Sequence, residues 1–305
     1  MASWLQHPRY IPIRDGLIGH LRRTKYRFRK LDPVVFLCGG RGSISRDALR
    51  DYLHKFTPDY DIFYAEPVWD AISKLGDLDA LQMEAHLAKL ADLIIIIVES
   101  AGTLAELGAF SISHDLRRKL LPIVDVRYKE DPSFINNGPL QWIDKESEFR
   151  PTIYASLDAV LGSADQVEER LKRIPKARSF KVSDLAMSPK HLLFFIADLV
   201  AVIYPATLET VGHYLAAIAP SILSTEINVP TLVNLGVAMN LLRTISVSDS
   251  GVTELYYAPA DPTGVGRPFH HSRLLYLEGK RAEHASVLLA IPQAKQVLQQ
   301  LGSAA

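Results

Sequence analysis

The stretch "ESAGTLAELGAF" (Glu99–Phe110) follows a run of four isoleucines and puts a carboxylate, Glu106, a short way beyond the end of an apolar segment. A glutamate so placed could attack an electrophilic sugar carbon or stabilise an oxocarbenium-like centre. Two readings of it are open. Thr103 and Glu106 have the spacing of a capping box, with threonine capping a helix and glutamate reaching back to the cap amide. The other reading turns the same carboxylate toward a ligand crevice, in the positive field of a helix start that favours its ionised form. Ser100, Gly102 and Thr103 belong to the same loop and are candidate substrate contacts. A second loop, "CGGRGS", carries Gly39 and Gly40, whose amides could approach a ligand closely, and Arg41, which could meet a phosphate or carboxylate. The alternative there is a tight strand exit with a surface arginine. Tyr64 and Glu66 in "FYAEP" follow another strand end and could line the same pocket. Glu84 is either a second pocket acid or a solvated helix carboxylate, and Asp92, at the far end of its strand, reads as structural.

These residues need a scaffold, and the chain supplies alternating short β-branched runs and helical stretches from Asp32 onward, the pattern of a parallel sheet with crossover helices. "VVFLC" (Val34 to Cys38), "DIFY" (Asp61 to Tyr64), "DLIIIIV" (Asp92 to Val98) and "KLLPIVDV" predict four strands. "TIYASL" predicts a fifth. The third is apolar on both faces, as a central strand covered on both sides should be. A helix is expected from Thr103 to about Ser113. The fold class is therefore α/β, a doubly wound, flavodoxin-like parallel sheet of four to five strands over residues 32–160. In such sheets ligands sit beyond the carboxyl ends of the strands, where both glycine-containing loops lie. A helical, basic arm (1–31) precedes it and a charged connector (161–187) follows. Residues 188–305 begin with three helical segments, "PKHLLFFIADLVAVIY", "TLETVGHYLAAIA" and "VPTLVNLGVAMNLL". Next come "RTISVSD", a Ser-Gly turn and "VTELYYAPA", and this order is that of a mainly helical winged-helix domain.

Composition narrows the function classes. The chain has 305 residues, 48% hydrophobic and 22% charged, with zero formal net charge, so it makes no global electrostatic case for nucleic acid. The exception is local: "RRTKYRFRK" holds six cations between Arg22 and Lys30 with Tyr26 and Phe28 interleaved, which suits either a nucleic-acid backbone or a solvated arm. One cysteine, Cys38, excludes an internal disulfide and a multi-cysteine metal site and fits a reducing compartment, so the expected location is cytoplasmic. None of the ten histidines has metalloprotease spacing or pairs with a candidate nucleophile, so no metal site is expected. No apolar run approaches the length of a membrane span, and no membrane association is expected.

The segments "GLIGHL", "VVFLCGG", "DIFYAEP", "LADLIIIIVESAGTLAELGAFS", "LRRKLLPIVD" and "SFINNGPL", in this order, resemble the effector proteins of bacterial retrons that carry a nucleoside deoxyribosyltransferase-like domain. The likeness runs over about residues 15–145. In the wider deoxyribosyltransferase group a Gly-Thr-x-x-Glu-x-Gly context holds the nucleophile; Gly102, Thr103, Glu106 and Gly108 match it, which implies a catalytic Glu106. Asn136, Asn137 and Gly138 match the family's Phe-Ile-Asn-x-Gly-Pro stretch, which implies a pocket role for Asn136. The carboxylate preceding the nucleophile in true transferases has Glu84 as its nearest candidate. The resemblance implies a toxic anti-phage effector that hydrolyses NAD, as substrate and not as cofactor, and is restrained by a reverse transcriptase with its small DNA–RNA product (msDNA-RNA). It also implies a C-terminal winged helix and a homodimer or larger assembly. Two alternatives stand beside it: an N-glycosidase or deoxyribosyltransferase acting on nucleosides or deoxynucleotides, and a non-enzymatic winged-helix DNA-binding regulator with a ligand-sensing domain.

Overall fold

A computed structural model describes residues 4–23, 25–30, 32–64, 90–224, 228–249, 252–260 and 277–303. The chain divides into two compact units, Asp32–Lys176 and a second formed by Met1–Leu31 with Ala177–Ala305. It enters through helix α1 (Ile11–Leu21) and the two-residue strand β1 (Arg27–Phe28), both in the second of these.

The Asp32–Lys176 unit is built on five parallel strands, β2 (Val34–Cys38), β3 (Asp61–Tyr64), β4 (Leu93–Val98), β5 (Leu120–Asp125) and β6 (Ile153–Ala155). Their spatial order is β3-β2-β4-β5-β6, so all five expected strands form and share one sheet. Every residue of β2 and β5 is buried, as is every residue of β4 except Val98. Because side chains alternate faces along a strand, such runs must be covered on both sides. Val35, Leu37, Leu93, Ile95, Ile97, Leu121 and Ile123 form one core cluster. They share it with helix α2 (Ile44–Phe56), through Leu49 and Leu53, and with Val167 and Leu171 of a later helix. Alternate residues such as Ile94 and Ile96 point to the other face. Helix α3 (Ala101–Ile112) connects β4 to β5 and buries Leu107 and Phe110. At the end of β4 remote from its helix, Asp92 accepts the Val34 N–H at 2.9 Å, a structural tie between neighbouring strands. Helices α4 (Gln141–Glu146) and α5 (Ala164–Leu171) complete the unit.

In the other unit β1 pairs antiparallel with β7 (Phe180–Lys181), and α6 (Pro189–Ile203) is its central helix, buried without interruption from Leu192 to Val200. Helices α7 (Leu208–Ile218) and α8 (Val229–Ala238) follow, then an antiparallel hairpin of β8 (Leu242–Asp249) and β9 (Val252–Pro259), and helices α9 (Leu277–Leu288) and α10 (Pro292–Ser303). Tyr26 and Phe28 from the basic stretch are 2% and 0% exposed, and Phe28 meets the Phe195 ring edge-on. These two rings are core and cannot stack on nucleic-acid bases. Lys30 is buried beside them, its ammonium 4.2 Å from the Phe194 ring centre. Among the described residues, no helix is long and apolar enough to cross a membrane.

Candidate active site

The strand order reverses direction between β2 and β4, the switch point at which the loops leaving neighbouring strands part and open a crevice. The two loops singled out from the sequence meet there. The Gly40 N–H donates to Glu99 Oε1 at 2.8 Å, tying the exit of β2 to the exit of β4. Gly39 is required for a steric reason: a Cβ at that position would lie 2.8 Å from Arg46 Cδ and 2.9 Å from Arg46 Cβ. Gly42 has φ of 73°, a left-handed conformation that glycine adopts without strain, and lets the chain turn into α2. Ser43 caps that helix by accepting the Arg46 N–H at 3.0 Å. Arg41 is exposed on this loop.

Helix α3 starts two residues before the sequence predicts. Its cap is Ser100, whose hydroxyl accepts the Thr103 N–H at 3.2 Å, while Thr103 Oγ1 accepts the N–H groups of Ser100 at 2.9 Å and Glu99 at 3.1 Å. The capping box is thus Ser100 with Thr103, and the Thr103–Glu106 box is corrected. Glu106 stands at the sixth helical position, beyond the first turn in which the helix dipole acts most strongly. It is half-buried, with Oε2 shielded from solvent. Gly102 is exposed on the first turn of α3.

Tyr64 ends β3 but is engaged with α2. Its hydroxyl donates to Asp47 at 2.8 Å, and the guanidinium carbons of Arg46 and Arg50 lie 4.2 and 4.8 Å from its ring centre. Burial, reinforced by the bond to Asp47, pushes its pKa above the usual phenol value. Glu84 and Glu66 lie outside the described residues.

Along the same edge, beyond β4 and β5, is a cavity of about 590 Å³. Its floor holds Val98 and Val124, which are register partners, and its walls include Glu99, Ser100, Leu104, Tyr128, Asn136 and Asp158. Of the residues expected at a site, Ser100 and Asn136 line this cavity, whereas Glu106, Arg41 and Tyr64 do not. Asn136 Nδ2 donates to the carbonyls of Tyr128 at 2.8 Å and Asp131 at 2.7 Å, so the side chain holds the turn that forms one wall. Asp125 is buried and accepts from Arg127 Nε at 3.0 Å and Nη2 at 2.8 Å. Those bonds hold its carboxyl below the usual carboxylate range. The sequence reading missed Glu99, Tyr128 and Asp158. The signal was present, because "VDVRY" follows the fourth strand as "VESAG" follows the third, and the rule for strand carboxyl ends applies to both. Among the described residues, no group of three His, Cys, Asp or Glu side chains could hold a metal ion.

A five-stranded parallel sheet with a half-buried glutamate on the helix leaving its switch point puts the chain in the doubly wound α/β class of folds. Within it, residues 43–244 match the STM3845 retron effector protein family, and the chain belongs to that family. Two Escherichia coli proteins are similar to part of it. One, whose name reads "Retron Ec86 putative ribosyltransferase/DNA-binding protein", is 42% identical over 134 residues, covering 42% of this chain and 43% of the relative. The second, with the same wording for retron Ec73, is 38% identical over 123 residues, covering 37% and 39%. The aligned stretch therefore spans about two fifths of each relative's length.

Proposed function

We propose that this retron effector is an N-glycosidase that hydrolyses NAD, with Glu106 as its nucleophile. The observation that carries the reading is the cap of α3. Ser100 and Thr103 satisfy the helix start between them, so the cap gives no reason for a glutamate at position 106, which sits on the helix that leaves the switch-point strand. The names of the two relatives, which include ribosyltransferase, support the same chemistry at a sugar carbon.

In the reaction the bond between the ribosyl C1′ and the nicotinamide nitrogen breaks with its electron pair going to the ring. The ring begins as a pyridinium and leaves neutral, so no proton donor is needed. Glu106 shields the developing positive charge at C1′ or bonds to it as an ester, and water then takes C1′, releasing ADP-ribose and a proton. Arg41, exposed on the Gly39–Gly40 loop, suits the pyrophosphate. The Gly40 amide reaches a phosphate only if Glu99 gives it up, since the two are bonded at 2.8 Å. Incubation with NAD, followed by chromatography of released nicotinamide, tests the reading. Release by the wild type and none by Glu106→Gln is expected. Release of another base from nucleosides or deoxynucleotides, and none from NAD, selects the alternative substrates.

For the second unit we infer a winged-helix-like body that contacts protein in preference to reading DNA. Three helices precede a hairpin, as that architecture requires. The third helix, "VPTLVNLGVA", contains no lysine or arginine with which to contact phosphates. Its proposed partners are the retron reverse transcriptase with its msDNA-RNA, and a second copy of the chain.

A further inference from the structure

Gly40 presents a backbone amide with no side chain over it, and that amide already holds an anion. Glu99 Oε1 accepts the Gly40 N–H at 2.8 Å, and a Cβ at position 40 would lie 3.5 Å from the same oxygen and 3.7 Å from Ser100 Oγ. The carboxylate therefore rests against bare backbone at the exit of β2, as an anionic ligand would. Arg41, exposed on the same loop, adds a cation next to this amide in the chain.

Three observations show how the contact can open. The Glu99 side chain is exposed, so water solvates the carboxylate once the bond is broken. Its backbone is held independently of the side chain, because the buried Thr103 accepts the Glu99 N–H on Oγ1 at 3.1 Å. Beside it lies the cavity of about 590 Å³ beyond β4 and β5, which Glu99 already lines, so a rotated side chain meets open space.

We propose that Glu99 is an internal competitor of the substrate: it occupies the amide that a phosphate of the pyrophosphate must take, and it turns into the cavity when that phosphate binds. The cavity receives the displaced side chain and no part of the substrate. One N–H cannot serve two anions at full strength, so binding exchanges carboxylate for phosphate. Glu99 is thereby a specificity-determining residue, since a ligand without a phosphate has nothing with which to displace it. The assignment rests on the NAD reading for the identity of the molecule that carries the phosphate.

Calorimetry with inorganic pyrophosphate as the probe, on the full chain and its variants, tests it. Cutting a tether that only shapes the loop would weaken anion binding, whereas removing a competitor strengthens it. Glu99→Ala should bind pyrophosphate about three- to tenfold more tightly than the wild type, the effect of one hydrogen bond no longer exchanged. Glu99→Gln, whose amide oxygen still accepts the Gly40 N–H, should fall between the two. Asp158→Ala removes a carboxylate of the same cavity that has no bond to Gly40 and measures the through-space effect of charge, expected to be below about twofold. Equal gains for Glu99→Ala and Asp158→Ala, no gain for Glu99→Ala, or no pyrophosphate binding by any of these proteins would overturn the assignment. Nicotinamide release from NAD by the wild type is read separately. Its absence, alongside tighter pyrophosphate binding by Glu99→Ala, would overturn the NAD reading and leave the role of Glu99 standing.

Discussion

Replacing Gly39 by alanine should destabilise the Asp32–Lys176 unit, and replacing its neighbour Gly40 should not. A Cβ at position 39 would meet Arg46 Cδ at 2.8 Å, Cβ at 2.9 Å and Cγ at 3.1 Å. The first of these atoms could swing away, but Cβ is fixed to the first turn of α2, and the guanidinium beyond it is packed 4.2 Å from the Tyr64 ring centre. Relief therefore requires the start of α2 to move, and overpacking of this kind costs about 1–3 kcal/mol. At position 40 the nearest atom to a new Cβ is Glu99 Oε1 at 3.5 Å, an ordinary contact, so Gly40→Ala should be neutral or stabilise by about 0.4–1 kcal/mol through the unfolded chain. Urea denaturation followed by tryptophan fluorescence in a Trp4→Phe background should show a midpoint lower by about 0.5–1.5 M for Gly39→Ala, with an unchanged slope. An Arg46→Ala background should rescue only part of the loss, because alanine keeps the offending Cβ. A Gly39→Ala midpoint equal to that of the wild type, or an equal loss for Gly40→Ala, would refute this account of why the crevice is lined by two glycines.

Thr103, buried at 1% exposure, accepts both the Glu99 and Ser100 N–H groups, so Thr103→Val should cost about 1–3 kcal/mol and Thr103→Ser much less; the same denaturation curves check the order. In the second unit His284 is fully buried, with Nδ1 donating to the Lys280 carbonyl at 2.9 Å, and burial lowers its pKa from 6.5 to about 4. The unfolded chain therefore binds the proton first, and stability present above pH 6.5 should fall as the pH drops toward 4, by up to about 3 kcal/mol. His284→Gln should flatten that part of the stability–pH curve, and an unchanged slope would show that His284 does not cause it.

Much of the α/β unit was legible because burial on both faces of the sheet leaves little freedom. Strands β2 (Val34–Cys38) and β3 (Asp61–Tyr64) fall where their apolar runs stop, and the other three strands of the sheet differ from expectation by one or two residues at an end. The start of α3 was less legible. Gly102 resembles a break before a helix, but it occupies the helix's second position, and the box uses threonine where the usual pattern has glutamate or glutamine. Sheet order and the Glu99–Gly40 bond depend on which loops meet across 59 positions of sequence, and no local pattern encodes that. In the second unit the helix–helix–helix–hairpin order follows the apolar periodicity, whereas α9, with only weak amphipathic character, and α10 went unread.

The most direct test of the central claim is release of nicotinamide from NAD by the wild-type chain and by Glu106→Gln, with both proteins shown to be folded by matching denaturation curves. Release by the wild type and a loss of several orders of magnitude in the variant are expected. A folded Glu106→Gln protein that releases nicotinamide at the wild-type rate would contradict it.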